Sequence, residues 1–343
     1  MSAVPLRPQP WLAPLGALMG GAASLRAALY RRGVLTQARL DGPVISVGNL
    51  SVGGSGKTPV VAWLARRLAG DGHAVAVLSR GYGGSSRTPC LVVSDGHSVL
   101  VGADAAGDEP VMLARALPGV VVAVGPRRDV VGRHVEQRFG PRVHVLDDGF
   151  QHLRLARDLD VACVSWRDLE DRPLPAGWLR EARPALSRAD VVLLARDGAD
   201  ETRVDEAVRR LGAERTFVMQ RRPVGFVSLS GTALPAPARV FLMSGVARPE
   251  RFAADVAAEV GAVVGHDAFR DHHPFTPAEL AAVTVRARAA RAEAIVTTEK
   301  DAVRLTGLPA SLIPVLVFRI DVEIRDEARF TARVREAIEA RRR

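Results

Sequence analysis

Val44-Ile45-Ser46-Val47-Gly48-Asn49-Leu50-Ser51-Val52-Gly53-Gly54-Ser55-Gly56-Lys57-Thr58 sets the terms on which the rest of the chain is read. The run at 44–47 is short and continuously apolar, as a strand covered on both faces must be, and a helical pattern begins at Val60. Between them lies a glycine-rich turn. Its glycines let the backbone curl until successive N–H groups converge on phosphate oxygens, and the start of the following helix adds its positive end. Lys57 then reaches the outer phosphates, and Thr58 offers a hydroxyl to magnesium. The general pattern asks for glycine five residues before Gly56; Ser51 stands there, and the upstream glycine is Gly48. Ser51, Val52, Gly53, Gly54, Ser55, Gly56, Lys57 and Thr58 are the expected nucleotide contacts.

Outward from this turn, strand-like runs at 44–47, 74–78, 120–124, 143–146, 161–164 and 191–194 alternate with helical patterns at 60–68, 109–117, 129–139 and 205–211. Continuous apolar strands joined by helices make a mostly parallel sheet with helices on both faces. Residues 90–93 and 98–101 flank Asp95-Gly96 and predict a protruding hairpin. An Ala/Pro-rich break at 233–237 opens a smaller α/β unit with strands at 240–243, 294–296 and 315–318 and helices at 251–260 and 277–289. An Arg-rich amphipathic helix closes the chain at 327–343. The expected organisation is an apolar N-terminal helix in 1–35, a nucleotide-binding domain over 36–225, and a second domain over 226–343.

The 343 residues exceed one ordinary domain, and 48% hydrophobic with 25% charged residues excludes collagen, low-complexity disorder and a multi-span membrane protein. A net charge of +9 favours anionic partners without choosing among them. Only two of the 47 basic residues are lysines, Lys57 and Lys300; the other 45 are arginines. A compact ammonium and a planar guanidinium are not interchangeable in tight geometry, which singles out both lysines. Cys90 and Cys163 lack metal-ligand spacing and read as thiols of a reducing compartment. Residues 8–25 carry no charge, but Pro10, Pro14, Gly16, Gly20 and Gly21 interrupt them. The segment is either an amphipathic helix lying on a membrane, with Arg26, Arg31 and Arg32 at the head groups, or a helix packed on the chain's own core.

A phosphate-cradling turn needs an acidic partner for its magnesium at the end of a neighbouring strand. Val143-His144-Val145-Leu146-Asp147-Asp148 supplies one, and Gly149-Phe150-Gln151-His152 follows on the same edge. Asp108 and Glu109 open a helical pattern, where carboxylates also favour the helix dipole. Ser79-Arg80-Gly81-Tyr82-Gly83-Gly84 suits a second anion, and Asp271-His272-His273-Pro274 is a proton-transfer pair, a metal site or a surface turn. In Thr297-Thr298-Glu299-Lys300-Asp301 the lysine and aspartate are adjacent, unlike a guanine-reading Lys-x-Asp, which argues for ATP over GTP.

Val47 to Pro59, Ser79-Arg80-Gly81-Tyr82, Gly107-Asp108-Glu109-Pro110, Leu146 to His152, Leu174-Pro175-Ala176-Gly177, Leu179-Arg180-Glu181 and Asp271-His272-His273 occur in an order that resembles the tetraacyldisaccharide 4'-kinase family. Ser51 fits that family's own Asn-Leu-Ser/Thr-Val-Gly-Gly loop. The resemblance implies transfer of the ATP γ-phosphate to the 4'-hydroxyl of an acylated disaccharide 1-phosphate lipid, in lipid A biosynthesis at the cytoplasmic face of an inner membrane. It implies Asp108 as the base, His272 as its partner from the second domain, Lys57 on the phosphates, and Thr58 with Asp147, Asp148 or Glu109 on Mg2+. Asn49, Arg80, Tyr82, Arg127, Gln151, Arg180 and Glu181 are the implied substrate contacts.

Two other readings stand beside it. A P-loop switch or metallochaperone-type NTPase would act on a protein partner, whereas the kinase needs none. A nucleic-acid ATPase would use the arginines, but these are scattered and aromatics are only 5%, so no nucleic-acid partner is expected.

Overall fold

In the computed structural model, residues 9–52, 56–309 and 311–342 are described. The apolar runs form β1 (Val44–Asn49), β2 (Val75–Ser79), β3 (Leu91–Asp95), β4 (Val121–Val124), β5 (Val143–Asp147), β6 (Leu159–Ser165), β7 (Val191–Ala195) and β8 (Thr216–Ser228). Then follow β9 (Ala233–Leu234), β10 (Arg239–Ser244), β11 (Ala262–Ala268), β12 (Ala294–Thr298) and β13 (Val315–Ile324). The helices are α1 (Ala13–Arg31), α2 (Lys57–Gly70), α3 (Ala103–Ala106), α4 (Asp108–Ala116), α5 (Arg128–Phe139), α6 (Glu201–Leu211), α7 (Pro249–Ala257), α8 (Pro277–Ala289), α9 (Glu299–Leu305) and α10 (Glu327–Arg342).

All strands join one sheet in the order β11-β10-β12-β13-β8-β7-β6-β1-β5-β2-β4-β3, with β9 beside β8. The pairings are parallel except β3 on β4, β9 on β8 and the central β8–β13 ribbon. Every residue of β1, β2, β4, β5 and β7 is buried, which is why their sequences do not alternate. Val60, Val61 and Leu64 of α2 and Val111 and Leu113 of α4 cover one face of the first half. Val131 and Val135 of α5 cover the other. In the second half, Phe252 and Val256 of α7 lie on one side and Leu280, Val283 and Ala287 of α8 on the other.

The β8–β13 ribbon joins the halves. β8 pairs with β7 through Thr216–Met219, and β13 pairs with β12 through residues 315–318. Where the two long strands run side by side, the register shifts at Arg319/Ile320 opposite Pro223 and Gly225, and Gly225 has φ +116°. Position 225 thus falls inside a continuous strand. The terminal helix packs back on the first half: Phe330, Val334 and Ile338 recur every four residues, and Phe330 lies 5.7 Å from the Trp63 ring. Burying a Phe of this kind contributes about 1.5–3 kcal/mol.

The predicted hairpin differs in form. β3 pairs with β4 along the sheet edge, and the second arm is reduced to one bridge, Ser94–Val99. Val92 and Val93 are buried against the sheet, and the Asp95 carboxylate accepts the N–H groups of His97 and Ser98 at once, so the turn folds over without extending.

In α1 the small residues are the ones that touch protein. Gly16 is so close to Pro173 that a Cβ there would sit 2.9 Å from its carbonyl oxygen, and Gly20 faces Ala182. Trp11, Leu15, Leu18, Met19 and Leu25 face solvent, Leu18 at 71% exposure. No helix among the described residues is long and apolar enough to cross a membrane.

Candidate active site

β1 ends at Gly48-Asn49, where the turn after β5 crosses it. A Cβ on Gly48 would lie 2.5 Å from the Phe150 nitrogen, so only glycine permits the approach. Asn49 organises the corner. Its Nδ2 donates to the Ser51 carbonyl at 2.7 Å, its carbonyl accepts from Gln151 Nε2 at 2.9 Å, and its Oδ1 accepts from Lys57 Nζ at 2.9 Å. Gly56, with φ +78°, caps α2, so Lys57 and Thr58 open that helix. Ser51 bridges to Leu179, Val52 N–H donates to the Trp178 carbonyl, and Arg180 N–H donates to the Leu50 carbonyl, which brings Arg180 beside the loop. Gly53, Gly54 and Ser55 lie outside the described residues. A cleft of about 240 Å³ opens beside Gly56, between Asp197, Met219 and Arg251.

Asp147 and Asp148 are neighbours with opposite fates. Burial, reinforced by the charge of Glu109, pushes the Asp147 carboxyl up to about 7 against the pull of Lys57. Its Oδ2 accepts from Ser79 Oγ at 3.0 Å, while its Oδ1 is buried with no hydrogen-bond partner. Asp148 has φ +54° and turns its carboxylate to Lys57 Nζ at 3.1 Å and Arg180 Nη1 at 2.7 and 2.8 Å. Burial acts to raise Asp148 too, but Lys57 and Arg180 overrule it and hold the carboxyl below its ordinary range.

Asp108 begins α4 and is 1% exposed. Its Oδ2 lies 2.8 Å from His272 Nδ1, contributed by the second half 164 residues away, and its Oδ1 lies 2.5 Å from Arg304 Nε of α9. Burial pushes Asp108 up, and His272 and Arg304 outweigh it, so the carboxyl sits below its ordinary range. His272 itself has φ +59° and meets Lys300 Nζ at 3.2 Å on its other nitrogen. The loop carrying Arg80 and Tyr82 rests on Gly107, where a Cβ would lie 2.3 Å from the Tyr82 carbonyl oxygen. Both side chains are exposed, and the Tyr82 ring centroid is 5.6 Å from that of His272.

The remaining implied contacts divide. Gln151 lies against Asn49, and its own carbonyl accepts from Arg26 of α1 at 3.3 Å. Arg127 turns to Asp129 at 2.7 Å, whereas the adjacent Arg128 is buried and reaches the Asp148 carbonyl at 3.4 Å. Glu181 is buried in a two-pronged pair with Arg188, both contacts 2.9 Å, and Arg188 lies over the Phe150 ring. Sequence reasoning left out Arg128 and Arg304. Nothing in a chain of 45 arginines distinguishes them, except that Arg304 stands one helical turn after the rare Lys300.

A parallel sheet whose strand-to-helix turn presents a lysine, with an acidic pair ending the adjacent strand, defines a nucleotide-binding protein of the P-loop type. Residues 8–339 match the family described as tetraacyldisaccharide-1-P 4'-kinase. A tetraacyldisaccharide 4'-kinase of Anaeromyxobacter sp. (strain Fw109-5) is 48% identical over 330 residues, covering 91% of this chain and 88% of that one. Its namesake in Geobacter sulfurreducens is 41% identical over 325 residues, covering 92% and 90%. Among solved structures, LpxK from Aquifex aeolicus in complex with ATP superposes with a TM-score of 0.81 at 33% identity, covering 95% of this chain and 98% of that one. The chain belongs to the tetraacyldisaccharide 4'-kinase family. It is a kinase, and the switch-type NTPase reading is not favoured.

Proposed function

We propose that the chain transfers the γ-phosphoryl group of ATP to the 4'-hydroxyl of a tetraacylated disaccharide 1-phosphate in lipid A biosynthesis. One observation carries the assignment of roles. The start of α4 bears buried Asp108 and, beside it, Glu109, whose charge raises Asp147, so a base and the phosphate-binding corner share one sheet edge. Asp108 accepts the hydroxyl proton as the phosphoryl group arrives, and His272 orients it. Ser51, Val52, Gly53, Gly54, Ser55 and Gly56 cradle the phosphates, and Lys57 moves from Asp148 onto their outer oxygens.

The donors near Lys57 fit Mg2+: hard oxygens from Thr58, Asp147 and Glu109, with the buried Asp147 Oδ1 still unpartnered. When bound, the ion neutralises charge on the terminal phosphate oxygens. Both oxygens of Asp148 already serve Lys57 and Arg180, so Asp147 is the ligand and Asp148 the counter-ion. Arg80, Tyr82, Gln151 and Arg180 take the sugar head group with Arg127 further out, while Asn49 and Glu181 set the positions of Lys57 and the Phe150 turn.

In this reading residues 36–225 and 226–343 act as two domains that close at the β8–β13 ribbon when both substrates are bound, over a site in which His272 already meets Asp108, and so keep water from the phosphate. The segment 1–35, of which residues 1–8 lie outside the described residues, is the membrane-associating part on the cytoplasmic face of the inner membrane. Trp11, Leu15, Leu18 and Met19 lie toward the acyl boundary and Arg31 and Arg32 at the head groups, while Arg26 turns to the Gln151 carbonyl instead. A substrate with four acyl chains is then taken without leaving the bilayer.

The test is incubation of purified protein with Mg-ATP and detergent-dispersed tetraacyl disaccharide 1-phosphate, scored by mass spectrometry, with Asp108→Ala and Lys57→Ala in parallel. One phosphoryl group gained, and lost in both variants, supports the reading. No phosphorylated lipid from folded, ATP-binding protein overturns it.

A further inference from the structure

Lys300 is one of two lysines in the chain, and phosphate binding accounts for only the other. Its surroundings give it a purpose. The His272 ring has two unlike neighbours: Asp108 Oδ2 lies 2.8 Å from Nδ1, and Lys300 Nζ lies 3.2 Å from Nε2, with Asp271 Oδ2 farther off at 4.0 Å. A carboxylate can only accept a hydrogen bond, and an ammonium can only donate one. Both contacts are made together by a single form of the ring, with hydrogen on Nδ1 and the lone pair on Nε2. We propose that Lys300 is a positioning residue for phosphoryl transfer: its ammonium fixes His272 in the Nδ1–H form and so aims that hydrogen at the Asp108 carboxylate. The inference rests on the reading of Asp108 as the base.

The support around Lys300 is rigid. Asp271 Oδ1 accepts from its Nζ at 2.6 Å, and the lysine side chain is 17% exposed. The next residue, Asp301, is buried; it accepts from the Gly245 N–H at 2.9 Å and the Thr298 hydroxyl at 2.8 Å, which pins the start of α9 to the loop after β10. One turn along α9, Arg304 meets the far oxygen of Asp108. A single helix therefore addresses both ends of the Asp108–His272 pair with cations four residues apart. With the alternative Nε2–H form, the Nδ1 lone pair would face the carboxylate and the ring would swing away. Lysine suits the place because one compact ammonium serves Asp271 and His272 from a single point, which a planar guanidinium fork does not.

The test uses the full chain in detergent with Mg-ATP and the lipid acceptor. Lys300→Met is expected to lower kcat about 100-fold, a size typical of a misplaced acid–base group, with both KM values within about threefold. In a His272→Ala background the same substitution should cost less than about twofold, because Lys300 acts through that ring. Lys300→Gln keeps an N–H for Nε2 and should retain about tenfold more activity than Lys300→Met, which loses the contacts to both His272 and Asp271 outright. It also keeps the cycle usable where Lys300→Met folds poorly. Histidine-selective ¹⁵N spectra of the wild type should show His272 protonated on Nδ1 and bare on Nε2, and a mixture of forms in Lys300→Met. Equal losses in both backgrounds, or an Nε2–H ring in the wild type, overturn the proposal. A wild type that phosphorylates no lipid fails the functional reading instead, and the spectra still report the ring.

Discussion

Lys57 and Lys300 mark two edges of the candidate site, and what holds them differs. Lys57 lies between Asn49 and Asp148, and those two come together because β1 and β5 are paired in register, Val47 opposite Asp147. That corner is built by a ladder of parallel strands within one half of the molecule. Lys300 touches Asp271 and His272, and through His272 reaches Asp108 in the other half. The second edge thus depends on how the halves sit about the β8–β13 ribbon, with its register shift and the left-handed Gly225. Nucleotide binding and chemistry should therefore be separable by mutation.

The largest expected effect tests that separation directly. Asp108→Asn should lower kcat about 10³-fold, as removal of a general base does, and leave the ATP Kd within about twofold. Lys57→Ala should lose ATP affinity and turnover together. Titration calorimetry with the kinetic assay decides, and equal losses of ATP affinity in the two variants would break the comparison. Next comes Gly48→Ala, whose new methyl collides with the Phe150 backbone. It should cost about 2–3 kcal/mol of stability in denaturant unfolding and weaken ATP binding, since the turn bearing Asp148 and Gln151 must shift.

Gly225→Ala sharpens the other side. A side chain at φ +116° is strained, so unfolding should become easier by about 1–2 kcal/mol. The ATP Kd should hold while kcat falls severalfold, because the ribbon sets the approach of His272 to Asp108. A change in ATP Kd with unchanged kcat would show that the ribbon serves the wrong edge.

The first edge was readable from sequence because its parts are local. Continuous apolar strands, the turn ending in Gly56-Lys57-Thr58 and the pair Asp147-Asp148 each announce themselves within a few residues. β8 was hidden, since Gln220-Arg221-Arg222-Pro223 reads as a loop; this middle stretch needs no apolar face because over residues 220–225 the strand pairs with β13 alone and Gln220, Arg222 and Val224 are exposed. Arg128 was hidden by its neighbour: Arg127 caps α5 with extended backbone and turns outward to Asp129, whereas Arg128, the first helical residue, turns inward to the Asp148 carbonyl. Hydropathy around residues 8–25 registers apolar character but not that glycines cover the protein face while Trp11 and Leu18 stay out. The Asp108–His272 pair spans the halves, and only the family resemblance joined them.

The smallest effect concerns His152, which follows Gln151 on the first edge. Burial, with Arg128, Arg157 and Arg26 nearby, pushes its imidazole down to about 4 from an ordinary 6.5, with Asp129 opposing only in part. The folded chain therefore refuses a proton that the unfolded chain accepts between those values, so stability must fall as pH drops from 6.5 toward 4. His152→Gln removes that titration, and its melting temperature should decline less steeply across the same interval. The wild-type corner around Lys57 should loosen over this range, visible as weaker ATP binding at pH 5 than at pH 7 that His152→Gln partly restores. Parallel slopes in wild type and variant would mean that the loss of stability in acid arises elsewhere, and that the first edge is no more sensitive to pH than the second.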